Sequence, residues 1–165
     1  RHPRLRDVHL PLRLGLDLRL TLIDVNPAAI DKALQRCHDY AKKAVAKGKM
    51  SEQQAAAVTA NIAGTPDYAQ LADCDWVIEA ATENMALKRR IFAQVESVVR
   101  PDALITSNTS SLPAGRIFAE LKHQGRATVT HFFAPAWRNP AVEVIAWKLA
   151  SATSAACLAA LCTLS

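Results

Sequence analysis

Between Ser107 and Glu143 the chain places a hydroxyl, an imidazole and a carboxylate where each could serve a proton transfer. Ser107, Asn108, Thr109, Ser110 and Ser111 form a hydroxyl- and amide-rich loop after the apolar run Ala103–Thr106. His131 follows Ser110 by 21 residues, closing the run Ala127–Thr130, and Glu143 comes 12 residues later. Such a set can act as an orienter, a proton acceptor and an acid that holds the imidazole. Loops at the carboxyl ends of strands are also where open α/β sheets take their ligands. Simpler readings stand beside this one. Ser110 or Ser111 could cap a helix expected around Leu112–Leu121, and His131 could be a structural strand residue. Glu143 interrupts Ala141-Val142-Glu143-Val144-Ile145, so it either faces solvent by alternation or is buried with a partner. The residue types alone leave the function open.

The elements that must position these groups can be read in order. Leu20–Asp24 is a short apolar strand ending in an acid, and Asn26 then caps a helix over Ala28–Lys47 with Pro27 at its first position. Ser51 followed by Glu52-Gln53-Gln54 opens a second helix with a capping-box pattern. Asn61–Gly64 is a candidate strand, and Pro66-Asp67 starts a turn. Asp75–Glu79 is a further strand, Ala80–Asn84 the loop after it, and Met85–Val98 a helix. Asp102–Thr106 leads into the serine-rich loop. Ala150–Ser165, rich in alanine and cysteine, reads as one more helix.

Composition narrows the classes. With 165 residues, half of them hydrophobic and 21% charged, the chain can build one domain with a proper core and is not disordered. No apolar run approaches the roughly 18 residues that span a bilayer, and Arg13, Asp17 and Arg19 break the leucine-rich start, so neither a membrane span nor a signal peptide is expected. Cys37, Cys74, Cys157 and Cys162 show no C-x-x-C spacing, which argues against a metal site and for free thiols in a cytoplasmic protein. The net charge of +5 is local: the first 50 residues carry +6 and the remaining 115 carry −1. Nucleic-acid binding would want an extended basic face or a recognisable module, and neither is present.

Six stretches, taken together, resemble one family. They are LTLIDVNP (residues 20–27), KGKMSEQQA (47–55), VIEAATENMALKRRIF (77–92), SNTSSL, HFF and VEVI. Their combination over residues 20–148 is similar to the NAD-binding domain of the L-3-hydroxyacyl-CoA dehydrogenase family. The resemblance implies an α/β, Rossmann-like, doubly wound and mostly parallel sheet. It implies NAD as cofactor and an acyl-CoA as substrate. His131 becomes the base that takes the hydroxyl proton, Glu143 the acid that holds its ring, and Ser110 a group that orients substrate or cofactor. Asp24 becomes the ligand of the adenosine ribose, where a carboxylate accepts from the hydroxyls and disfavours a 2′-phosphate, so NAD is expected over NADP. Glu83 and Lys88, five apart, match the pair beside the nicotinamide ribose; taken alone they would be a first-turn acid and a surface lysine. The basic run Lys32, Arg36, Lys42, Lys43, Lys47 and Lys49 reads first as a solvated face. By resemblance it leans over the acyl-CoA site, and Lys47 is the residue singled out for the coenzyme's phosphates. The chain departs from the family at Ala134, where HFFNP is usual and HFFAP stands.

Residues 1–19 do not follow the pattern. They use only Arg, His, Pro, Leu, Asp, Val and Gly, all of which have codons beginning with C or G, as a shifted frame of a GC-rich gene would supply. They stand where the family carries its first strand and Gly-rich turn, so an incomplete sheet and an out-of-frame segment are expected, a genuine basic arm being the alternative. The organisation expected is therefore a non-matching segment over 1–19 and a cofactor domain over 20–165, without the helical second domain through which the family forms homodimers. The activity expected is oxidation of 3-hydroxyacyl-CoA to 3-oxoacyl-CoA, with residues 1–165 inactive alone. The alternatives are a dehydrogenase of another 3-hydroxy acid on the same scaffold, or a catalytically dead fragment.

Overall fold

The computed structural model describes residues 18–134, 139 and 141–151. The expectations for the segment before Leu18 and for the terminal helix beyond Ser151 fall outside those residues. The described chain divides into two compact units between Gln70 and Leu71.

The first unit pairs two parallel strands, β1 (Leu20–Ile23) and β2 (Ile62–Thr65), in the register Leu20↔Ile62 to Ile23↔Thr65. Parallel neighbours need a long crossover, and two helices supply it: α1 (Pro27–Ala46) and α2 (Glu52–Ala60). The start of α1 is as its sequence predicts. The Asn26 Oδ1 accepts the Ala28 amide at 3.1 Å, and Pro27, lacking an N–H, costs nothing in the first turn. Ile30, Ala33, Cys37 and Ala41 recur every three or four residues and are all buried, so α1 packs through one stripe while its lysines stay outside. Gly64 permits the approach of that stripe to β2, since a Cβ there would stand 2.2 Å from the Ile30 Cγ2. Burial also pushes the Cys37 thiol up to about 11, which leaves it a small neutral apolar group. The helix ends at Gly48, whose φ of 65° suits a residue without a side chain. The capping box is formed, with Ser51 Oγ accepting from the Gln54 amide at 3.1 Å and Gln54 Oε1 from the Ser51 amide at 2.9 Å.

The second unit holds a four-stranded sheet in the order β3-β4-β5-β6: Trp76–Glu79, Leu104–Ser107, Ala127–Phe132 and Val142–Ile145. The first three strands run parallel and β6 returns antiparallel to β5. Ile105, Thr106 and Ser107 of the central β4 are all buried, as expected for a parallel strand covered on both faces. Its hydroxyl is not stranded there, for Thr106 Oγ1 accepts from the Trp76 indole at 2.9 Å and faces the Val77 carbonyl at 3.3 Å. Helix α3 (Met85–Val98) spans the residues expected, opened by Asn84, whose Oδ1 accepts the Leu87 amide at 2.9 Å. It buries Phe92 and Val95, and the Phe92 ring tilts against Phe118 with centroids 4.8 Å apart.

One expectation is corrected. The helix around Leu112–Leu121 is a single turn, α4 (Ala114–Ile117), capped by Pro113 with no side-chain hydrogen bond. Neither Ser110 nor Ser111 caps it. Pro113 fixes the turn's entry and Gly115 lowers its propensity. The chain leaves the helix at Phe118 because Ile117, Phe118 and Leu121 are each drawn into the core.

Candidate active site

The sequence-predicted base and acid meet. Antiparallel pairing sets His131 directly opposite Glu143, and directly opposed side chains in such a ladder lie on one face of the sheet. The imidazole Nδ1 stands 2.9 Å from the Glu143 Oε2. A carboxylate in its ionised form accepts, so Nδ1–H is the donor of such a pair, and in the neutral ring Nε2 then keeps its lone pair. The imidazole side chain is 20% exposed and Glu143 54%, so the ring is sheltered but reachable. Phe133 packs on it with ring centroids 4.8 Å apart. Both readings of Glu143 hold in part, because it faces outward yet has a partner.

Ser110 lies in the loop that leaves β4, on the carboxyl side of the sheet like the end of β5. In the ladder Ser107 pairs with Val129, so Ser110 is three residues past the last pair and His131 two past it. Asn108 joins the two strand ends: its Oδ1 accepts the Phe132 amide at 2.9 Å, and its own N–H donates to the Glu79 carbonyl at 2.8 Å. Thr109 turns the loop, with Oγ1 accepting from the Leu112 amide at 3.1 Å. It also donates to Glu83 Oε1 at 2.7 Å, and the Ser110 amide reaches the same oxygen at 3.2 Å. Ser110 is thereby held by its backbone, and its side chain belongs to an exposed residue.

Glu83 and Lys88 are adjacent but differ in character. Glu83 is 43% exposed, while Lys88 is buried to 1%. The Lys88 ammonium stands 2.7 and 2.9 Å from the two Glu79 oxygens and 3.2 Å from the Ala81 carbonyl. It lies 3.6 Å from the Glu83 Oε2, beyond hydrogen-bond reach. Glu79 is the buried neighbour that sequence reading passed over as the end of an apolar strand. Its carboxylate also accepts from the Ser107 hydroxyl and the Ala81 amide, each at 2.6 Å. The signal available was an acid closing an apolar strand with a lysine in the next helix.

The remaining two candidates lie in the first unit. Asp24 directly follows β1, half-buried, and its Oδ1 accepts the Asn26 amide at 2.8 Å. Lys47 closes α1; its amide donates to Lys43 at 3.2 Å and its side chain is exposed. The 20 residues of α1 separate the two by about 30 Å along the helix axis. They can therefore serve only different groups, or different parts of one extended ligand. Each unit, taken by itself, offers an acceptor that a ribose hydroxyl could use: half-buried Asp24 keeps a second carboxylate oxygen in the first, and Glu83 keeps Oε2 clear of hydrogen bonds with the loop in the second. Among the described residues no group of three His, Cys, Asp or Glu side chains could hold a metal ion, and no helix is long and apolar enough to cross a membrane.

Comparison with known proteins identifies the family and the fold. Residues 12–165 match the family model described as 3-hydroxyacyl-CoA dehydrogenase, NAD binding domain. The peroxisomal fatty acid beta-oxidation multifunctional protein AIM1 of Arabidopsis thaliana is 32% identical over 136 residues, which cover 82% of this chain and 19% of that protein. The crystal structure of 3-hydroxybutyryl-CoA dehydrogenase from Escherichia coli K12 superposes with a TM-score of 0.91 at 29% identity, over 97% of this chain and 34% of its own. That of (S)-3-hydroxybutyryl-CoA dehydrogenase PaaH1 from Ralstonia eutropha gives 0.90 at 31% identity, over 97% and 56%. The chain thus spans only part of these relatives. Its architecture is α/β and Rossmann-like with mostly parallel strands. The chain belongs to the 3-hydroxyacyl-CoA dehydrogenase family and is an NAD-binding domain of that family.

Proposed function

We propose that this domain serves the NAD-dependent oxidation of 3-hydroxyacyl-CoA to 3-oxoacyl-CoA, with His131 as the base. The observation that carries the reading is the 2.9 Å pair between His131 Nδ1 and Glu143 Oε2. With Nδ1 committed to the carboxylate, Nε2 is left to accept the proton of the substrate's 3-hydroxyl. As the O–H and C–H bonds of that carbon break, its carbonyl forms. Bound NAD supplies the hydride acceptor. Glu143 pairs with the imidazolium that results, so charge develops beside a group already placed to meet it. Ser110, held through its amide by Glu83, orients the substrate oxygen or the cofactor by its hydroxyl.

Asp24 accepts from the adenosine ribose and selects NAD over NADP, because a carboxylate there repels a 2′-phosphate. Glu83 takes the nicotinamide ribose, with Lys88 behind it, and Lys47 takes a coenzyme A phosphate. The full-length protein works as a homodimer.

A second reading has one observation in its favour. Ala134 is exposed and offers no side-chain amide where the family's HFFNP motif carries asparagine. A changed loop beside His131 suits a different 3-hydroxy acid on the same scaffold. NADH formation by the full-length protein separates the two. A short 3-hydroxyacyl-CoA is expected to be oxidised with far higher kcat/KM than free 3-hydroxy acids; the reverse order would replace the first reading with the second.

A further inference from the structure

Glu79 has no role in the chemistry just described, yet it is the most heavily bonded side chain of the second unit among the described residues. Its carboxylate is 2% exposed and accepts four contacts at 2.9 Å or less: Lys88 on both oxygens, the Ser107 hydroxyl and the Ala81 amide. Its backbone carbonyl accepts from Asn108. Two segments meet on this one residue: Ala81 follows β3, Ser107 and Asn108 close and leave β4, and Asn108 in turn accepts from the amide beside His131.

We propose, building on the reading above, that Glu79 is a positioning residue that keeps Glu83 available to the cofactor by neutralising Lys88. A buried ammonium needs a carboxylate, and two are within range. Glu79 holds Lys88 at 2.7 Å, whereas Glu83 remains at 3.6 Å. That gap leaves Glu83 Oε2 to accept from a ribose hydroxyl while Oε1 secures Thr109 and Ser110. Without the charge on Glu79, Lys88 has only Glu83 to turn to. Glu83 would swing inward, lose its capacity to accept from the ligand and drag the Ser110 loop with it. Lys88 on this account also acts through Glu83, since its three protons already have acceptors.

The test is the near-isosteric E79Q, with E79D as the variant that keeps the charge, in the full-length protein, read by crystal structure, thermal melting and calorimetric titration with NAD. E79Q is expected to bring Lys88 Nζ within hydrogen-bond distance of Glu83 and to weaken NAD about tenfold. E79D, which retains the buried negative charge, is expected to leave Glu83 apart from Lys88 and to bind NAD within about threefold of the parent. A purely structural Glu79 would lower the melting temperature in both variants and leave the Kd of the folded protein unchanged, which overturns the proposal. So does an E79D that binds NAD no better than E79Q. If E79Q does not fold, E79D decides by itself, Glu83 apart from Lys88 with affinity near the parent's supporting the role and a tenfold loss refuting it. A parent protein that binds no NAD at all refutes the cofactor reading itself, whereas a parent that binds and an E79Q that binds equally refutes only the role of Glu79.

Discussion

The two units carry their candidate residues in contrasting ways. In the second, every one of them is held by a partner from another element: His131 by Glu143, the Ser110 amide by Glu83, Lys88 by Glu79. In the first, Asp24 accepts from an amide two residues away and Lys47 projects from a helix end. The difference suits the tasks proposed for them. Proton transfer demands a geometry held to a fraction of an ångström, which a brace between His131 and Glu143 supplies. The adenosine ribose and coenzyme phosphate proposed for Asp24 and Lys47 ask for an acceptor and a charge, which a strand end and a helix end provide without a brace.

The comparison breaks most visibly at His131. His131→Gln is expected to cut turnover by ~10²–10⁴-fold, the span of general base catalysis, while NAD affinity stays close to the parent's. Steady-state kinetics beside an NAD titration reads both, and near-normal turnover would remove the assignment. Glu143→Gln tests the brace rather than the base, and the loss of a charge-assisted hydrogen bond predicts about a 10- to 100-fold fall in kcat. A variant as fast as the parent would make Glu143 an ordinary strand residue.

Asp24→Ser probes the unbraced unit. NAD is expected to weaken about tenfold, as for one lost bond to a charged acceptor, and the preference over NADP should narrow. Titrating parent and variant with both cofactors checks this; equal affinity in the parent would refute the role.

The smallest effect concerns the support of β5. Glu96 accepts from the Lys122 and His123 amides at 2.8 and 3.0 Å and lies 3.5 Å from the Arg126 guanidinium, which itself hydrogen-bonds the Arg100 carbonyl. Burial acts to raise its pKa, but the two amides and Arg126 outweigh it, and the net displacement is downward. The ionised form is therefore favoured by folding. Its contribution is complete above the ordinary carboxylate range and disappears as pH falls through the lower folded value. Glu96→Gln should lower the melting temperature at neutral pH, and the gap from the parent should close as pH falls through and below the ordinary carboxylate range. A gap independent of pH would mean that the carboxylate charge contributes nothing.

Much of this was legible in the chain. Asn26 with Pro27, Ser51 with Gln54, and the whole of α3 follow from local chemistry, in which a cap and its first turn settle most of the outcome. The pairing of His131 with Glu143 was legible as a spacing and a resemblance. Two features were not. The helix after Pro113 shrank to one turn because burial of Ile117, Phe118 and Leu121 overrode helical continuation, and propensity cannot weigh that competition. Glu79 was invisible because an acid at a strand end usually faces water. Its burial depends on Lys88, nine residues away across a strand-to-helix turn of no fixed geometry.

The placement of Glu143 also sets a thermal hierarchy. It sits on β6, the terminal strand of its four-stranded sheet, and terminal strands open locally at a fraction of the free energy of global unfolding. Two cross-links resist this: Thr128 Oγ1 donates to the Ile145 carbonyl at 2.5 Å, and the Trp147 indole to the Ala127 carbonyl at 2.7 Å. On warming, the acid should part from its histidine while the interior strands β4 and β5 are still intact. Heat inactivation would then precede melting, and the fluorescence of Trp147, tilted against Phe118 with centroids 5.9 Å apart, would report the first event rather than the second.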